Sequence, residues 1–259
     1  MPTGTRVLPI ELPEDASTTL TEHDAAANLA REAGAVLVRL RSQSQSSGRA
    51  LSDEGDRRSH EFLMARLATR FPHDPIRSEE GHDSPGAERL WVIDPLDGSR
   101  EYGEGRDDWA VHVGLAVAGR AVIGAVALPA RGLVLGTAAP SPLTQTAAVP
   151  RLVVSRSRPP AIAGQLAGRL GATTIAMGSA GAKIAAVITG EADIYVHAGG
   201  QYEWDSAAPV AVALASGLHA SRIDGSPLRY GLADPWLPDL LVCHPSLATS
   251  ALAALAEIG

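Results

Sequence analysis

Residues Asp94-Pro95-Leu96-Asp97-Gly98-Ser99 are the stretch most suited to chemistry. Two carboxylates stand three residues apart, and an apolar, strand-like run, Leu90-Trp91-Val92-Ile93, leads into them. Pro95 has a fixed φ and no N–H, which predicts that the strand ends there. Asp97-Gly98 predicts a turn, and Ser99 suits the start of a helix. Such a turn can aim Asp94 and Asp97 at one point. Carboxylates suit hard divalent cations such as Mg²⁺, and the N–H groups of a helix start suit a phosphate. The same six residues also read as ordinary turn chemistry, so the other acidic sites decide between the two.

Three such sites stand out. Glu79-Glu80 follows the short extended segment Pro75-Ile76-Arg77, so the end of a neighbouring strand can bring Glu79 to the same place; adjacent acids also suit a solvated surface. Asp205, in Glu203-Trp204-Asp205-Ser206-Ala207-Ala208, precedes a run of small apolar residues that reads as a buried helix, where its alternative role is the N-cap. Asp56 stands at the front of a helical stretch over 57–70, where the alternative is a first-turn charge complementing the helix dipole.

Taken in order, Glu79-Glu80, Asp94–Ser99 and Trp204–Ala208 resemble the pattern of the inositol monophosphatase-like superfamily of metal-dependent, lithium-sensitive phosphatases. The resemblance runs from about Asp24 to the C-terminus. It is nearest to the bacterial CysQ-type 3′(2′),5′-bisphosphate nucleotidases in their actinobacterial form, through Arg106–His112, Ala127–Gly132, Gly178–Lys183 and Asp224–Tyr230. Those enzymes remove the 3′-phosphate of 3′-phosphoadenosine 5′-phosphate, a by-product of sulfate activation and sulfotransfer.

The resemblance implies Glu79, Asp94, Asp97 and Asp205 as metal ligands, with the carbonyl of Leu96, around two or three Mg²⁺ ions. It implies that Asp56 and Ser99, with Glu79 nearby, orient and deprotonate the attacking water; Ser99 replaces the commoner Thr and keeps the hydroxyl. Gly98 and Ser99 would hold the scissile phosphate through backbone N–H groups. Ser155 and Arg158 match a segment beside the nucleotide, with Arg158 where the family usually has His. Ser179 and Lys183 match positions that hold the second phosphate and the nucleoside, although Lys183, the only lysine, also reads as an exposed helix residue. Asp205 would also lie against the substrate. The family's usual Asn-Lys after Tyr230 is replaced by Gly231-Leu232. The physics agrees with the metal set: a phosphomonoester carries about two negative charges, and bound cations can neutralise it, acidify a water and stabilise the leaving oxygen.

The elements that must position these residues follow from pattern. Helices are predicted over 22–43 and 53–70, with a Gln/Ser/Gly-rich loop over 44–52. Strands are predicted at 90–94, 109–117, 121–128 and 132–136, the middle two as a hairpin through Gly119-Arg120. An Ala/Pro/Thr-rich linker covers 138–150. Beyond it, strands at 151–155, 173–177, 192–197, 218–222 and 239–243 alternate with helices at 160–170, 180–190, 205–216 and 245–257. This reads as an α+β half over 21–140, carrying Asp56, Glu79 and Asp94–Ser99, and an α/β half over 151–259, carrying Asp205 and the substrate contacts. The resemblance implies a five-layer αβαβα sandwich with the metal site between the halves. Residues 1–20 are expected to form an irregular arm.

Composition narrows the partners. The chain has 259 residues, a net charge of −7 and no basic cluster, which argues against a nucleic-acid polymer but not against a small nucleotide. One cysteine, Cys243, excludes a disulfide framework and a cysteine-based zinc site. No His pair has ligand spacing; His112 on a strand face and His197 and His219 at strand ends read as structural. No stretch is apolar enough to span a membrane and no signal peptide is evident, so a cytoplasmic protein is expected. Relatives are often dimers. The competing expectations are inositol monophosphatase or fructose-1,6-bisphosphatase activity at the same site, and a non-catalytic metabolite-binding relative, against which the complete carboxylate set argues.

Overall fold

A computed structural model describes residues 16–81 and 86–258. Two helices, α1 (Ala16–Gln43) and α2 (Gly48–Arg70), open the chain. A first sheet follows from β1 (Ile76–Ser78), β2 (Arg89–Asp97), β3 (Ala110–Val117), β4 (Arg120–Leu128) and β5 (Leu133–Gly136), with the short helix α3 (Ser99–Gly103) after β2. Its strand order is β1-β2-β3-β4-β5; β1 and β2 run parallel and the other neighbours antiparallel. The second sheet comprises β6 (Arg151–Ser155), β7 (Thr173–Met177), β8 (Ile194–Tyr202), β9 (His219–Ser221) and β10 (Trp236–Cys243), ordered β7-β6-β8-β10-β9. Helices α4 (Ala161–Leu170), α5 (Ala180–Thr189), α6 (Glu203–Ala215) and α7 (Pro245–Ala256) alternate with these strands.

Three apolar cores separate five layers. The first lies between α1–α2 and one face of the first sheet, through Leu37, Leu63, Leu67, Trp91 and Ile93. The second fills the space between the sheets, where α5 and α6 lie, through Val92, Val126, Ile184, Val210 and Val242. The third lies between the second sheet and α4–α7, through Leu152, Leu166, Leu241 and Leu255. The order is αβαβα, as expected.

The site lies between the sheets, so the seating of α6 matters. Gly114 on β3 and Gly124 on β4 are register partners, and together they make a side-chain-free patch. Ala208 of α6 rests on it: a Cβ at Gly124 would fall 2.3 Å from the Ala208 carbonyl oxygen. Such contact needs glycine below and a small residue above.

The structure departs from expectation at several points. Helix α1 starts at Ala16, so 16–20 are not irregular, while residues 1–15 of the expected arm lie outside the described residues. The loop over 44–52 shrinks to four residues because Leu51, Ser52 and Gly55 are buried, and packing outweighs a helix-poor composition. Asp56 therefore sits inside α2, not at its front. Pro95 does not end its strand. β2 continues to Asp97 through an irregularity in its pairing with β3 between Asp94 and Asp97. β8 runs to Tyr202, beyond the expected 197, because β10 pairs with it as far as Trp236. Asp205 is not an N-cap: α6 begins at Glu203, and the Asp205 carboxylate accepts from the Tyr202 N–H at 2.7 Å.

Gly124→Ala is expected to lower stability by about 1–3 kcal/mol, through overpacking of α6 on the sheet. A urea-unfolding midpoint equal to that of wild type would show that α6 does not need this close seat.

Candidate active site

In a regular strand, residues three apart point to opposite faces. Asp94 and Asp97 share a side only because the strand gains one residue between them: Asp94 pairs with His112, but Asp97 pairs with Ala110. Pro95, with no N–H to lose, fits inside this bulge. The bulge is tied down on both sides. Leu96 N–H donates to Asp94 Oδ1 at 3.1 Å, and buried Ser59 of α2 donates its hydroxyl to the Pro95 carbonyl at 2.7 Å. Gly98 then takes φ +87°, which turns the chain into α3.

Asp94, Asp97 and Asp205 converge, each offering an oxygen within 4.8 Å of the others. Asp94 and Asp97 are buried. Glu79 follows directly on β1, which pairs with β2; it lies outside this close trio and is exposed. Ser99 lies against Asp56, with its hydroxyl 3.4 Å from Asp56 Oδ1 and 3.1 Å from the Leu96 carbonyl oxygen. A cavity of about 410 Å³, lined in part by Ser52, Asp56, Ser99 and Arg100, opens on this pair.

The carboxylates repel one another. Burial, then the charges of Asp97, Glu79 and Asp205, pushes the Asp94 carboxyl well above its usual range. Burial and Asp97 push Asp205 up to about 6. Burial and the Glu80 charge push Asp56 to about 7, against the Ser99 hydrogen bond. Glu79 is pushed up to about 8 by partial withdrawal from water, then by Asp205, Asp56 and Asp97, although solvent screens a group this accessible. Asp97 is the exception. Burial raises it, but His112, Ser179 and Lys183 outweigh burial and bring it to about 2.

Beside His112, the start of α5 supplies donors to this carboxylate. Ser179 donates its hydroxyl to Asp97 Oδ2 at 2.6 Å, Ala180 N–H donates to Oδ1 at 3.0 Å, and Gly181 N–H donates to Oδ2 at 2.5 Å. An anion on helix N-terminal amides is stabilised by both hydrogen bonds and dipole. Ser179 holds φ +37°, rare for a residue with a Cβ, while its oxygen also accepts from Ala182 N–H at 2.9 Å. Asp108 and Glu101 lie against the same loop: Gly178 N–H donates to Asp108 at 2.6 Å, and a Cβ at Gly178 would meet the Glu101 side chain at 2.2 Å.

Ser179 and Lys183 are both buried, and Lys183 is not an exposed helix residue. Its ammonium donates to the carbonyls of Gly178 at 2.9 Å and Ser179 at 2.6 Å, so it braces the loop that holds Asp97. Burial lowers its pKa, and Asp97 and Glu101 oppose that shift. Ser155 ends β6 and Arg158 follows it, and the Ser155 hydroxyl accepts from Arg158 N–H at 3.2 Å; the Arg158 side chain is exposed.

Sequence reasoning missed a buried ion pair. Arg77, two residues before Glu79, donates to Glu203 at 2.7 Å, and Glu203 lies two residues before Asp205. Both side chains are almost wholly buried, at 1% and 0% exposure. Glu203 also accepts from the N–H groups of Gly231 and Leu232 at 2.9 and 3.0 Å. The pair fixes the approach of two acidic residues from opposite sides of the seam. Its one sequence signal is that each charge lies two positions from an expected ligand.

A bulged Asp-x-x-Asp strand end, an aspartate of α6 brought against it and the five-layer order together define a class. The inositol monophosphatase family model matches residues 17–258, and the chain belongs to that family. Within it, the chain is 45% identical over 262 aligned positions, 94% of this chain and 97% of the relative, to the 3′-phosphoadenosine 5′-phosphate phosphatase of Mycobacterium leprae. It is 32% identical to the 3′(2′),5′-bisphosphate nucleotidase CysQ of Escherichia coli, over 66% of this chain and 76% of that one. The inositol monophosphatase of Anabaena shares the fold with a TM-score of 0.75 at 24% identity, covering 93% of this chain and 97% of that one. Among the described residues no helix is long and apolar enough to cross a membrane.

The raised groups predict a pH dependence. For Asp56, Asp205 and Glu79 the folded state favours the protonated carboxyl, so folding retains protons that the unfolded chain releases. Their contribution is present at low pH and is lost as pH rises from about 4 through about 6, 7 and 8. Asp97 acts oppositely, and only below about pH 4. The protein in EDTA is expected to melt at a lower temperature at pH 8 than at pH 5. A flat or rising melting temperature would show that these carboxyls feel no mutual repulsion.

Proposed function

We propose that the protein is a Mg²⁺-dependent phosphatase that hydrolyses the 3′-phosphate of 3′-phosphoadenosine 5′-phosphate to AMP and inorganic phosphate. The observation that carries this reading is the convergence of Asp94, Asp97 and Asp205 beside the Ser99–Asp56 pair. The names of the relatives support the nucleotide as substrate.

The donor set fits the cation. Carboxylate oxygens and a main-chain carbonyl are hard ligands of the kind Mg²⁺ takes. Asp94 and Asp205 are both shifted upward by burial and by like charge, so their ionised forms call for a cation. Glu79, Asp94, the Leu96 carbonyl, Asp97 and Asp205 are the residues we assign to hold two or three ions. Bound there, Mg²⁺ would supply charge neutralisation of the phosphate, an acidified water and stabilisation of the leaving oxygen.

The chain's own groups do the rest. Asp56, held near pH 7, has the proton affinity of a general base at neutral pH. Ser99, between Asp56 and the Leu96 carbonyl, orients the attacking water and passes its proton to Asp56, with Glu79 alongside. The N–H groups of Gly98 and Ser99 hold the phosphate at the turn into α3. No covalent link between enzyme and phosphate is needed. Ser155 and exposed Arg158 lie beside the nucleotide, where Arg158 adds a cation for phosphate. Ser179 and Lys183 face the second phosphate and the nucleoside, and also act on the reaction through Asp97. The substrate is a nucleotide met in the cytoplasm.

Phosphate release from 3′-phosphoadenosine 5′-phosphate is expected to be fast with Mg²⁺ and lost in EDTA, and slower from inositol 1-phosphate and fructose 1,6-bisphosphate. A faster rate on either alternative would overturn the substrate and keep the chemistry; silence on all three would favour a binding protein. Asp94→Asn removes one charge from the cluster and is expected to lower kcat by at least about 10³-fold with the fold intact, given that metal-borne charge stabilisation is worth several kcal/mol. Turnover near wild type in that variant would take Asp94 out of the mechanism.

A further inference from the structure

His112 lies on β3, wholly buried, directly opposite Asp94 in the register of β2 and β3. Its two nitrogens face the two sides of the seam. Nδ1 lies 3.0 Å from the carbonyl oxygen of Trp204, the residue before Asp205. A carbonyl only accepts, so Nδ1 carries the proton and donates. Nε2 lies 3.2 Å from Asp97 Oδ2 without the alignment of a hydrogen bond, and has no other hydrogen-bond partner. Asp97 Oδ2 already takes the Ser179 hydroxyl and the Gly181 N–H, which accounts for its two lone pairs.

The surroundings are shaped to admit this ring. A Cβ at Gly181 would fall 2.0 Å from His112 Nε2 and 3.0 Å from Asp97 Oδ2. Gly181 has helical backbone, so it is glycine for space and not for φ. One imidazole therefore touches an acidic residue of the first sheet and the peptide that leads into an acidic residue of α6, and the start of α5 is cut back to let it in.

We propose that His112 is a positioning residue of the metal site: its imidazole sets the separation of Asp97 from Asp205 across the seam, standing in contact with Asp97 Oδ2 on one side and hydrogen-bonded to the Trp204 carbonyl on the other. This rests on the reading of the acidic cluster as a divalent-cation site. Groups that orient metal ligands without touching the ion change affinity 10- to 100-fold when altered.

The test is Mn²⁺ binding to the full-length protein without substrate, followed by the signal of the free ion, with a thermal melt of each variant. His112→Ala is expected to weaken Mn²⁺ binding 10- to 100-fold while the protein stays folded. His112→Gln, whose amide can still donate to the Trp204 carbonyl, is expected to recover most of the loss. His112→Leu, which fills much of the same space without a ring nitrogen, should weaken binding in the same way, and it decides the matter if His112→Ala does not fold. Folded variants that bind Mn²⁺ within twofold of wild type would overturn the proposal, as would a lowered melting temperature with unchanged affinity. Failure of the wild-type protein to bind Mn²⁺ would instead overturn the metal reading, and this one with it.

Discussion

Three carboxylates confined within a few ångströms repel one another, and the surrounding structure is arranged so that they stay there. Asp94, Asp97 and Asp205 cannot be moved apart, because each is fixed by backbone. Asp94 and Asp97 are locked by a strand bulge, and Asp205 is hydrogen-bonded to the peptide that opens its helix. The repulsion is divided unequally. Asp97 is given the amides of α5, the Ser179 hydroxyl and the field of Lys183, and stays ionised. Asp94 and Asp205 each accept one backbone N–H, too little to offset burial and like charge, and are pushed toward the neutral form. One acid is thus settled by the protein itself, and the other two are left for a cation to settle.

This division explains why the middle layer contains helices rather than a direct packing of sheet on sheet. Two sheets face to face bring side chains together about 10 Å apart, but offer no helix N-terminus to an anion. With α5 and α6 between them, one helix can place its amides on Asp97 while the other carries Asp205 into the same space. The Gly114–Gly124 patch lets α6 approach closely enough for that. The apolar residues of the same two helices fill the central core, so the elements that hold the charge also hold the fold.

Much of this was legible in the sequence because it rests on local chemistry. The alternation of β4 with β3 through Gly119-Arg120, the strands and helices beyond 150 and the acidic residues themselves all follow from patterns a few residues long. The failures share a cause. Pro95 reads as the end of a strand because its missing N–H is a local fact, while the pairing of Asp97 with Ala110, which carries the strand past it, is not. Residues 48–52 read as loop from composition, but their burial makes them helix. The bracing of the Asp97 loop by Lys183 is not legible either, because nothing nearby in sequence reveals that its helix is enclosed on every side. His112 reads as a filler of one sheet face, because its partners, Asp97 and Trp204, come from two other elements. The roles that depend on several elements meeting were the ones a linear reading could not reach.

The Arg77–Glu203 pair bears on how such a chain can change over generations. The two charges are separated by 126 positions of sequence and joined in a place with almost no water. A recombination between related genes anywhere in that interval, the stretch near 140–147 without helix or strand included, parts them. The hybrid would bury one charge opposite whatever its other parent supplies, and breaking a buried pair by removing one partner costs about 3–5 kcal/mol. The two sheets look like units that could be exchanged between lineages, but they are inherited well only together, and drift at one of these two residues is bound to drift at the other.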